Sequence, residues 1–228
     1  MMLIKEWMSR SVITINYNES LKDAAKLFQT KVISMLPVLK NGELIGIVTD
    51  GDIKEAAPSE SPALDKFEIF SLMDSVRIES VMTSPVVTIH SDHTVDEAAG
   101  IMLSKGISGV PVVDSDGSLE GVLTKSDVFR CFVSFTGVSN NGQVFAFNLP
   151  DKPGIIKNLT DMIMNSGGRL CSIMTSYDDI EEGLRKVFFH TFDIDSDNFD
   201  NLVEKFNRAG ELLYVADLSR GFRKIIRR

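Results

Sequence analysis

Apolar residues recur with helical spacing at two places in the first half of the chain. Two sets of four share the spacing i, i+3, i+4, i+7: Leu21, Ala24, Ala25 and Phe28, then Val95, Ala98, Ala99 and Met102. This spacing predicts two amphipathic helices. A β-branched segment, VITI or VVTI, precedes each helix and predicts extended backbone. Two apolar runs joined by a turn containing Gly follow each helix and predict a β-hairpin, after which a second helix should begin at Thr49 or Thr124.

These two places are copies of one repeat. Sliding the chain by 74 residues superimposes Met8 on Met82, and many other apolar positions match in the same order. One additional residue in the second hairpin turn changes the offset to 75, which superimposes Thr49 on Thr124. Two copies predict two equivalent structural units rather than a solenoid, which needs about three or more repeats.

The periodicity changes after about residue 136. The remaining patterns follow the order βαββαβ, which is that of a ferredoxin-like domain. From Asp217 onward five basic residues stand against one acidic residue, which predicts a solvated tail or, alternatively, a dock for an acidic partner. The predicted boundaries are 1–57 for the first repeat, 58–75 for a linker with a docked helix, 76–136 for the second repeat, 142–217 for the βαββαβ domain and 218–228 for the basic tail.

Composition and charge narrow the classes of function. The net charge of −8 argues against a nucleic-acid binder, which presents a positive face to phosphates. The two cysteines form no CxxC pair, as is typical of a reducing compartment. The N-terminal segment lacks the apolar stretch of a signal peptide, and no segment approaches the ~18 apolar residues that span a membrane. We therefore expect a cytoplasmic protein with neither nucleic acid nor membrane as a partner.

The most specific pattern is GIVTDGD at 46–52, repeated as GVLTKSD at 121–127. The glycine permits close approach of a backbone or ligand to a strand. The Thr lies where a strand becomes a helix, so its hydroxyl and the free backbone N–H groups would bind a phosphate. The Asp one turn later would accept hydrogen bonds from ribose hydroxyls. Candidates for an apolar wall against the base are Leu36-Pro37 and Val110-Pro111.

A capping box is the alternative for this pattern, because Thr and Asp at this spacing also satisfy the first backbone donors of a helix. Two copies at matching repeat positions favour nucleotide binding. The copies differ after the Thr, where the first has Asp50 and the second has Lys125. Because an ammonium attracts phosphate and a carboxylate repels it, we expect the second motif to bind the more highly charged phosphate group, unless both side chains point to solvent.

With these motifs the repeats resemble CBS domains, over about residues 4–57 and 76–135. Tandem pairs in that family, called Bateman modules, bind AMP, ADP, ATP or S-adenosyl compounds in clefts between the repeats. The resemblance implies that Thr contacts phosphate and Asp contacts ribose, and that the extended segments contact adenine. The residues concerned are Thr49, Asp52, Thr124 and Asp127 in the motifs, and Ile13 and Val87 in the extended segments.

The C-terminal domain resembles the ACT family on its strand-to-helix loop, Asn148-Leu149-Pro150-Asp151-Lys152-Pro153-Gly154-Ile155. The resemblance implies a homodimer contact or an amino-acid effector at Asn148, Asp151, Pro153, Gly154 and Ile155. Gly154 would permit close backbone approach, and the helix N-terminus would meet a carboxylate. The alternative is a bare turn with Pro153 at the first helical position and Asp151 near the cap. The order CBS–CBS–ACT resembles the acetoin-utilisation protein B family of bacteria, which implies a regulator of acetoin or related carbon metabolism.

Patterns typical of catalysis or metal binding are weak. His90 and His93 fall on a predicted polar turn without a third ligand, and His190 falls in a predicted strand, where we expect a structural role. The sequence has no P-loop, Rossmann glycine pattern, G-x-S-x-G or Cys–His pair. We therefore predict no catalytic residue, no metal and no catalytic cofactor.

The predicted protein is of the α+β class: two tandem CBS repeats packed as a pseudo-twofold pair, plus a ferredoxin-like βαββαβ ACT domain. We expect a homodimer that senses an adenine nucleotide and regulates an unidentified protein. The alternative is a scaffold without a ligand, which acts through protein–protein contacts and uses the Thr-x-x-Asp motifs only as helix caps.

Overall fold

Two units, Met1–Cys131 and Phe132–Arg228, make up the chain. The computed structural model describes residues 2–57, 66–137 and 141–226. Within those ranges, no helix is both long enough and apolar enough to cross a membrane.

Both repeats have the same order of elements. The first contains a 3-10 turn (Ile4–Glu6), β1 (Ile15–Asn16), α1 (Leu21–Thr30), β2 (Met35–Lys40), β3 (Glu43–Thr49) and α2 (Asp50–Ala56). After α3 (Lys66–Ser75), the second contains a 3-10 turn (Ile78–Ser80), β4 (Ile89–His90), α4 (Val95–Lys105), β5 (Gly109–Val113), β6 (Leu119–Thr124) and α5 (Lys125–Thr136). In each three-stranded sheet the first strand runs parallel to the second, and the second runs antiparallel to the third.

Local sequence explains where these elements begin and turn. Helix α1 begins after Ser20, whose hydroxyl accepts a hydrogen bond from the Asp23 amide in a capping box. The turn between β2 and β3 uses Asn41 and Gly42, with φ of 54° and 89°, as a tight hairpin requires. The predicted extended segments enter a strand only at their last residues, Ile15 and Ile89.

The segments that lead into the two repeats are exchanged. Ile4 is fully buried and packs with Met8 into the core of the second repeat, whereas Ile78 is fully buried in the core of the first. Antiparallel backbone pairs hold both crossings: Ser9 with Val122, and Thr83 with Ile47. Each repeat therefore completes its core with residues that lead into the other repeat, and the contacts are reciprocal.

This exchange explains the glycines of the two motifs. A Cβ at Gly121 would lie 2.6 Å from Met8 Sδ and 2.9 Å from the Ser9 carbonyl oxygen. A Cβ at Gly46 would overlap the Met82 side chain. The close approach expected from the sequence is thus made by the leading segment of the other repeat.

The predicted linker ends in a helix. Residues 58–65 of the linker lie outside the described part of the chain. Helix α3 lies beside α1, and its Met73 packs against the core of the first repeat. Phe70 and Leu72 of the same helix are exposed. One face of α3 is therefore docked, and apolar side chains remain on its surface.

The second unit is a single antiparallel sheet with two helices. Its elements are β7 (Gln143–Pro150), α6 (Ile155–Asn165), β8 (Arg169–Ser176), β9 (Leu184–Phe192), α7 (Ser196–Ala209), β10 (Glu211–Asp217) and β11 (Phe222–Ile225). The strand order is β11-β10-β7-β9-β8, with every neighbouring pair antiparallel. Both helices pack on one face of the sheet, over a core that includes Phe145, Phe147, Phe189, Phe199 and Phe206.

The C-terminal segment differs from the predicted basic tail. Residues Phe222–Ile225 form the edge strand β11, which pairs with β10, and the Phe222 ring packs edge-on against Phe199 at 6.0 Å. The side chains of β11 are exposed, as a solvated end requires, but the backbone is part of the sheet. Arg227 and Arg228 of the predicted tail lie outside the described residues.

His190 lies on β9, opposite Ser172 of β8. Burial lowers the pKa of this histidine. A neutral, half-buried imidazole within a sheet agrees with the structural role expected from the sequence.

Candidate ligand-binding site

Among the cavities between the repeats, two combine the Thr-x-x-Asp motif of one repeat with the extended segment of the other. We call them cavity one, with a volume of about 830 Å³, and cavity two, with about 300 Å³. Small-molecule sites commonly have volumes of roughly 300–1,000 Å³. Cavity one is lined by Ile13 of the first repeat together with Thr124 and Asp127 of the second. Cavity two is lined by the residues at the equivalent positions, Val87, Thr49 and Asp52.

Thr124 and Asp127 form a capping box at the start of α5. The Thr124 amide and hydroxyl donate to Asp127 Oδ2 at 2.9 and 2.7 Å, and the Asp127 amide donates to Thr124 Oγ1 at 3.4 Å. Thr49 and Asp52 make the same bonds at α2, at 2.7, 2.7 and 3.3 Å. The motif therefore caps both helices, as the alternative predicted, and faces a cavity at the same time.

Helices α1 and α4 begin with capping boxes that line neither cavity. At α1 the pair is Ser20 and Asp23, and hydrogen bonding from the Ser20 hydroxyl lowers the pKa of the Asp23 carboxyl. At α4 the pair is Thr94 and Glu97, and hydrogen bonding from the Thr94 amide lowers the pKa of Glu97. Among the residues that the structure describes, neither pair lines cavity one or cavity two. These two boxes cap a helix without lining cavity one or cavity two. They therefore provide matched controls for the boxes that do.

The four residues predicted to form an apolar wall lie in the repeat cores instead. Leu36 and Val110 are fully buried in the repeat cores, and Pro37 and Pro111 are buried beside them. Strands β2 and β5 are the middle strands of their sheets, and of their residues only the first of each, Met35 and Gly109, line the cavities. The segments that enter these strands form the walls instead: Ile33-Ser34-Met35 in cavity one and Ile107-Ser108-Gly109 in cavity two.

The positive charge at cavity one comes from a residue that the sequence analysis missed. Lys125 is exposed and does not line cavity one, and its amide donates to the Ser108 carbonyl oxygen at 2.9 Å. Arg130, one turn after Asp127, lines the cavity. The sequence did contain an indication of this: Arg130 is three residues after Asp127 on a predicted helix, and residues at that spacing lie on the same face.

The first repeat has acidic residues at the corresponding places. Glu55 is the repeat equivalent of Arg130, and Asp50 that of Lys125. Asp50 forms an ion pair with Lys54 one turn along α2. Cavity one therefore has a cation on its wall, whereas the helix at cavity two carries carboxylates.

The loop of the second unit is built around an ion pair. Asp151 accepts a hydrogen bond from the Tyr177 hydroxyl at 3.2 Å and pairs with Arg185 at 3.4 Å. The side-chain amide of Asn148 donates to Glu211 at 3.3 Å. The Nε atom of Arg185 is buried and has no hydrogen-bond partner among the described residues.

Gly154, rather than Pro153, immediately precedes α6. Its φ of 86° lies in the left-handed region, and it provides no side-chain cap. A Cβ at Gly154 would have no neighbour within 4 Å. The positive φ therefore favours glycine here, and close packing is not the reason. Pro153 is exposed and lies two positions before the first helical position, where the bare-turn alternative places it, and Ile155 begins the helix and packs against the core.

The histidine turn of the second repeat is open to solvent. His90 and His93 are exposed, with ring centroids 6.0 Å apart. Across residues 2–57, 66–137 and 141–226, no three His, Cys, Asp or Glu side chains come together as a metal site.

Comparison with known proteins gives matches over the repeats. The family model described as the CBS domain matches residues 4–59 and 78–134. A CBS domain-containing protein of Dictyostelium discoideum is 38% identical over 137 residues, which are 58% of this chain and 91% of that protein. An L-aspartate semialdehyde sulfurtransferase of Methanocaldococcus jannaschii is 35% identical over 131 residues, which are 57% of this chain. The chain spans only 23% of the length of that enzyme.

Two solved structures share the fold of the pair. A Vibrio cholerae protein named for acetoin utilization is 25% identical, with a TM-score of 0.50 over 61% of this chain and 96% of that one. CBSX2, solved in complex with AMP, is 24% identical, with a TM-score of 0.50 over 58% of this chain and 97% of that one. Together with the match of the family model to both repeats, these relatives show that the chain belongs to the CBS domain family and that its two repeats are a tandem CBS pair.

Proposed function

We propose that the CBS pair is a regulatory sensor of an adenine nucleotide or S-adenosyl compound, with binding rather than catalysis as its role. One observation carries this proposal: each of two pseudo-equivalent cavities joins a Thr-x-x-Asp box of one repeat to a β-branched segment of the other. In the described part of the chain, four helices begin with capping boxes, and of these the two after the hairpins line the cavities.

Each wall of cavity one supplies a different recognition chemistry. Ile13 and the Ile33–Met35 segment give the apolar surface on which an adenine ring would lie. Asp127 has one carboxylate oxygen in the capping box and one outside it, and ribose hydroxyls would contact the second oxygen in place of its present partner, Arg130. The N-terminus of α5 and Arg130 favour a negative group on the ligand. The second motif would therefore bind the more highly charged phosphate.

Regulation follows from the position of the cavities between the repeats. A ligand that contacts both walls is bound more tightly by one arrangement of the repeats than by another, and it shifts their equilibrium by that difference in affinity. The regulated partner is a protein that recognises one of those arrangements.

For the second unit we propose an ACT-type role in homodimer formation or in binding an amino-acid effector. Its element order and antiparallel sheet support this assignment. The guanidinium of Arg185 pairs with Asp151 in the loop before α6, and its Nε, which has no partner among the described residues, offers a donor for a carboxylate. Control of acetoin or related carbon metabolism is the physiological role we propose, in line with the CBS–CBS–ACT order.

Thermal unfolding of the full chain tests the ligand proposal. AMP, ADP, ATP, S-adenosylmethionine and single amino acids are added separately. A ligand at ~100 times its Kd should add ~2.7 kcal/mol to the native state and raise the Tm. Asp127→Ala should abolish the shift from cavity one, because the ribose contact is lost.

Glu97→Ala is the matched control, since it also removes the carboxylate of a capping box, and Glu97 lines neither cavity one nor cavity two. Each substitution should cost about 1 kcal/mol of stability through the cap. Only Asp127→Ala should lose the ligand shift. An undiminished shift in Asp127→Ala would show that this carboxylate does not bind the ligand.

A scaffold without a ligand is the second candidate, and the shared geometry of all four capping boxes favours it. In that case no adenosine compound changes the Tm, and Asp127→Ala and Glu97→Ala are equivalent in every assay.

A further inference from the structure

Arg130 lines cavity one and contacts both Asp127 of the motif and Trp7 of the leading segment. Its guanidinium lies 2.9 Å from Asp127 Oδ1 and donates to the Trp7 carbonyl oxygen at 2.7 Å. The same guanidinium lies over the Trp7 ring, 5.9 Å from its centroid. Trp7 belongs to the exchanged segment that enters the core of the second repeat. Arg130 thus links that segment to the helix that carries the motif.

These contacts occupy the atom that a ribose needs. Asp127 Oδ2 already accepts two hydrogen bonds from Thr124, and Oδ1 is paired with Arg130. A ribose that takes Oδ1 must displace the guanidinium. The Asp127 side chain is 12% exposed and is held by the capping box, whereas that of Arg130 is 61% exposed and has solvent to turn into when its contacts with Asp127 and Trp7 break. The arginine is therefore the partner that moves.

When a nucleotide binds, the displaced guanidinium loses its ion pair with Asp127. The phosphate on the ribose is an anion with which it can form a new ion pair. We propose that Arg130 is the specificity residue of cavity one: it releases Asp127 to the ribose and pairs with the phosphate of the ligand, so that cavity one selects phosphorylated nucleosides over neutral ones. This rests on the function proposed above. Cavity two has Glu55 at the equivalent position and lacks this device.

The test compares AMP with adenosine by calorimetry on the full chain, in the wild type and in Arg130→Gln. Fluorescence of Trp7, the single tryptophan of the chain, reports on cavity one in the same samples. A hydrogen bond to a charged group should make the wild type prefer AMP by roughly tenfold to a hundredfold. Arg130→Gln should lose most of that preference, and adenosine should bind as tightly as before or more tightly, because Asp127 is already free.

Two further variants separate specificity from structure. Arg130→Lys keeps a cation and should retain part of the preference for AMP. Glu55→Gln, at the equivalent position near cavity two, should leave the Trp7 response unchanged. If Arg130→Gln weakens AMP and adenosine equally, or changes neither, the assignment of Arg130 is overturned while the proposed function stands. If the wild type binds neither compound, the assignment of Arg130 is overturned. The proposed function is overturned with it only when ADP, ATP and S-adenosylmethionine also leave the Tm unchanged.

Discussion

Gly46 and Gly121 mark the places where the backbone of one repeat meets the segment that leads into the other. At Gly121 the neighbours of an added Cβ include a backbone oxygen, whereas at Gly46 they all belong to the Met82 side chain. A long methionine side chain can change rotamer, but a carbonyl held in a β-bridge cannot move without breaking its pairing. The two equivalent positions therefore differ in their tolerance of a methyl group.

Gly121→Ala should destabilise the protein by roughly 1–3 kcal/mol, the usual range for overpacking, and Gly46→Ala should cost less. Chemical unfolding of both variants measures the difference. Gly100→Ala is the control: this glycine lies within α4, nothing lies within 4 Å of its added Cβ, and the change should stabilise by about 0.5–1 kcal/mol. Equal stability of Gly121→Ala and the wild type would contradict the close approach of Ser9.

For single residues, the sequence predicts which side chains stand at a helix start better than it predicts which side chains line a cavity. Thr49, Asp52, Thr124 and Asp127 were expected at helix starts from their spacing, and they lie there. Whether a side chain faces a cavity depends on which strand is central and which segment crosses from the other repeat, and neither is encoded locally. For that reason Leu36 and Val110 were expected on a wall and lie in the core, and Arg130 was overlooked in favour of Lys125.

The leading 3-10 turns are the elements through which the repeats depend on each other. Ile4 stands in the core of the second repeat, with α4 and β5, and Ile78 in the core of the first. A cavity made by removing either side chain therefore opens in the repeat that the residue does not precede.

Ile4→Ala should cost roughly 2–5 kcal/mol, as for other large-to-small changes in cores. Amide hydrogen exchange locates the damage: protection should fall in Val95–Lys105 and Gly109–Val113, and should be retained in Leu21–Thr30. Ile78→Ala should give the opposite pattern. Loss of protection in Leu21–Thr30 for Ile4→Ala would mean that the segments are not exchanged in solution.

Helices and strands with a regular spacing of apolar residues were predictable from the sequence, and those without such a spacing were not. The four helices of the repeats follow from apolar spacing and polar caps. Strands β1 and β4 have only two residues each, because the segments before them line the cavities instead of pairing. Strand β11 is charged and exposed, so its pairing with β10 depends on an edge that only the folded sheet provides.

For the molecule as a whole, both cavities belong to the first unit. Every residue that lines them lies within Met1–Cys131. The second unit has a core of its own, and none of its described residues lines either cavity.

A fragment of residues 1–137, which keeps α5 intact, should bind the ligand with the affinity of the full chain. Calorimetry of both proteins measures this, and the fragment carrying Asp127→Ala is the control for specific binding. Circular dichroism first establishes that the fragment is folded. A folded fragment that binds much more weakly would show that the second unit contributes to the site.

The exchanged leading segments also bear on how such a chain can arise. A half-length ancestor with one repeat would lack the isoleucine that completes its core unless a second molecule supplied it. Such a chain would fold only as a pair of intertwined copies. Joining the two copies end to end replaces an encounter between molecules with a covalent tether, so that assembly no longer depends on concentration. In such a chain the two cavities need not be identical, and Arg130 and Glu55 stand at equivalent positions with opposite charge.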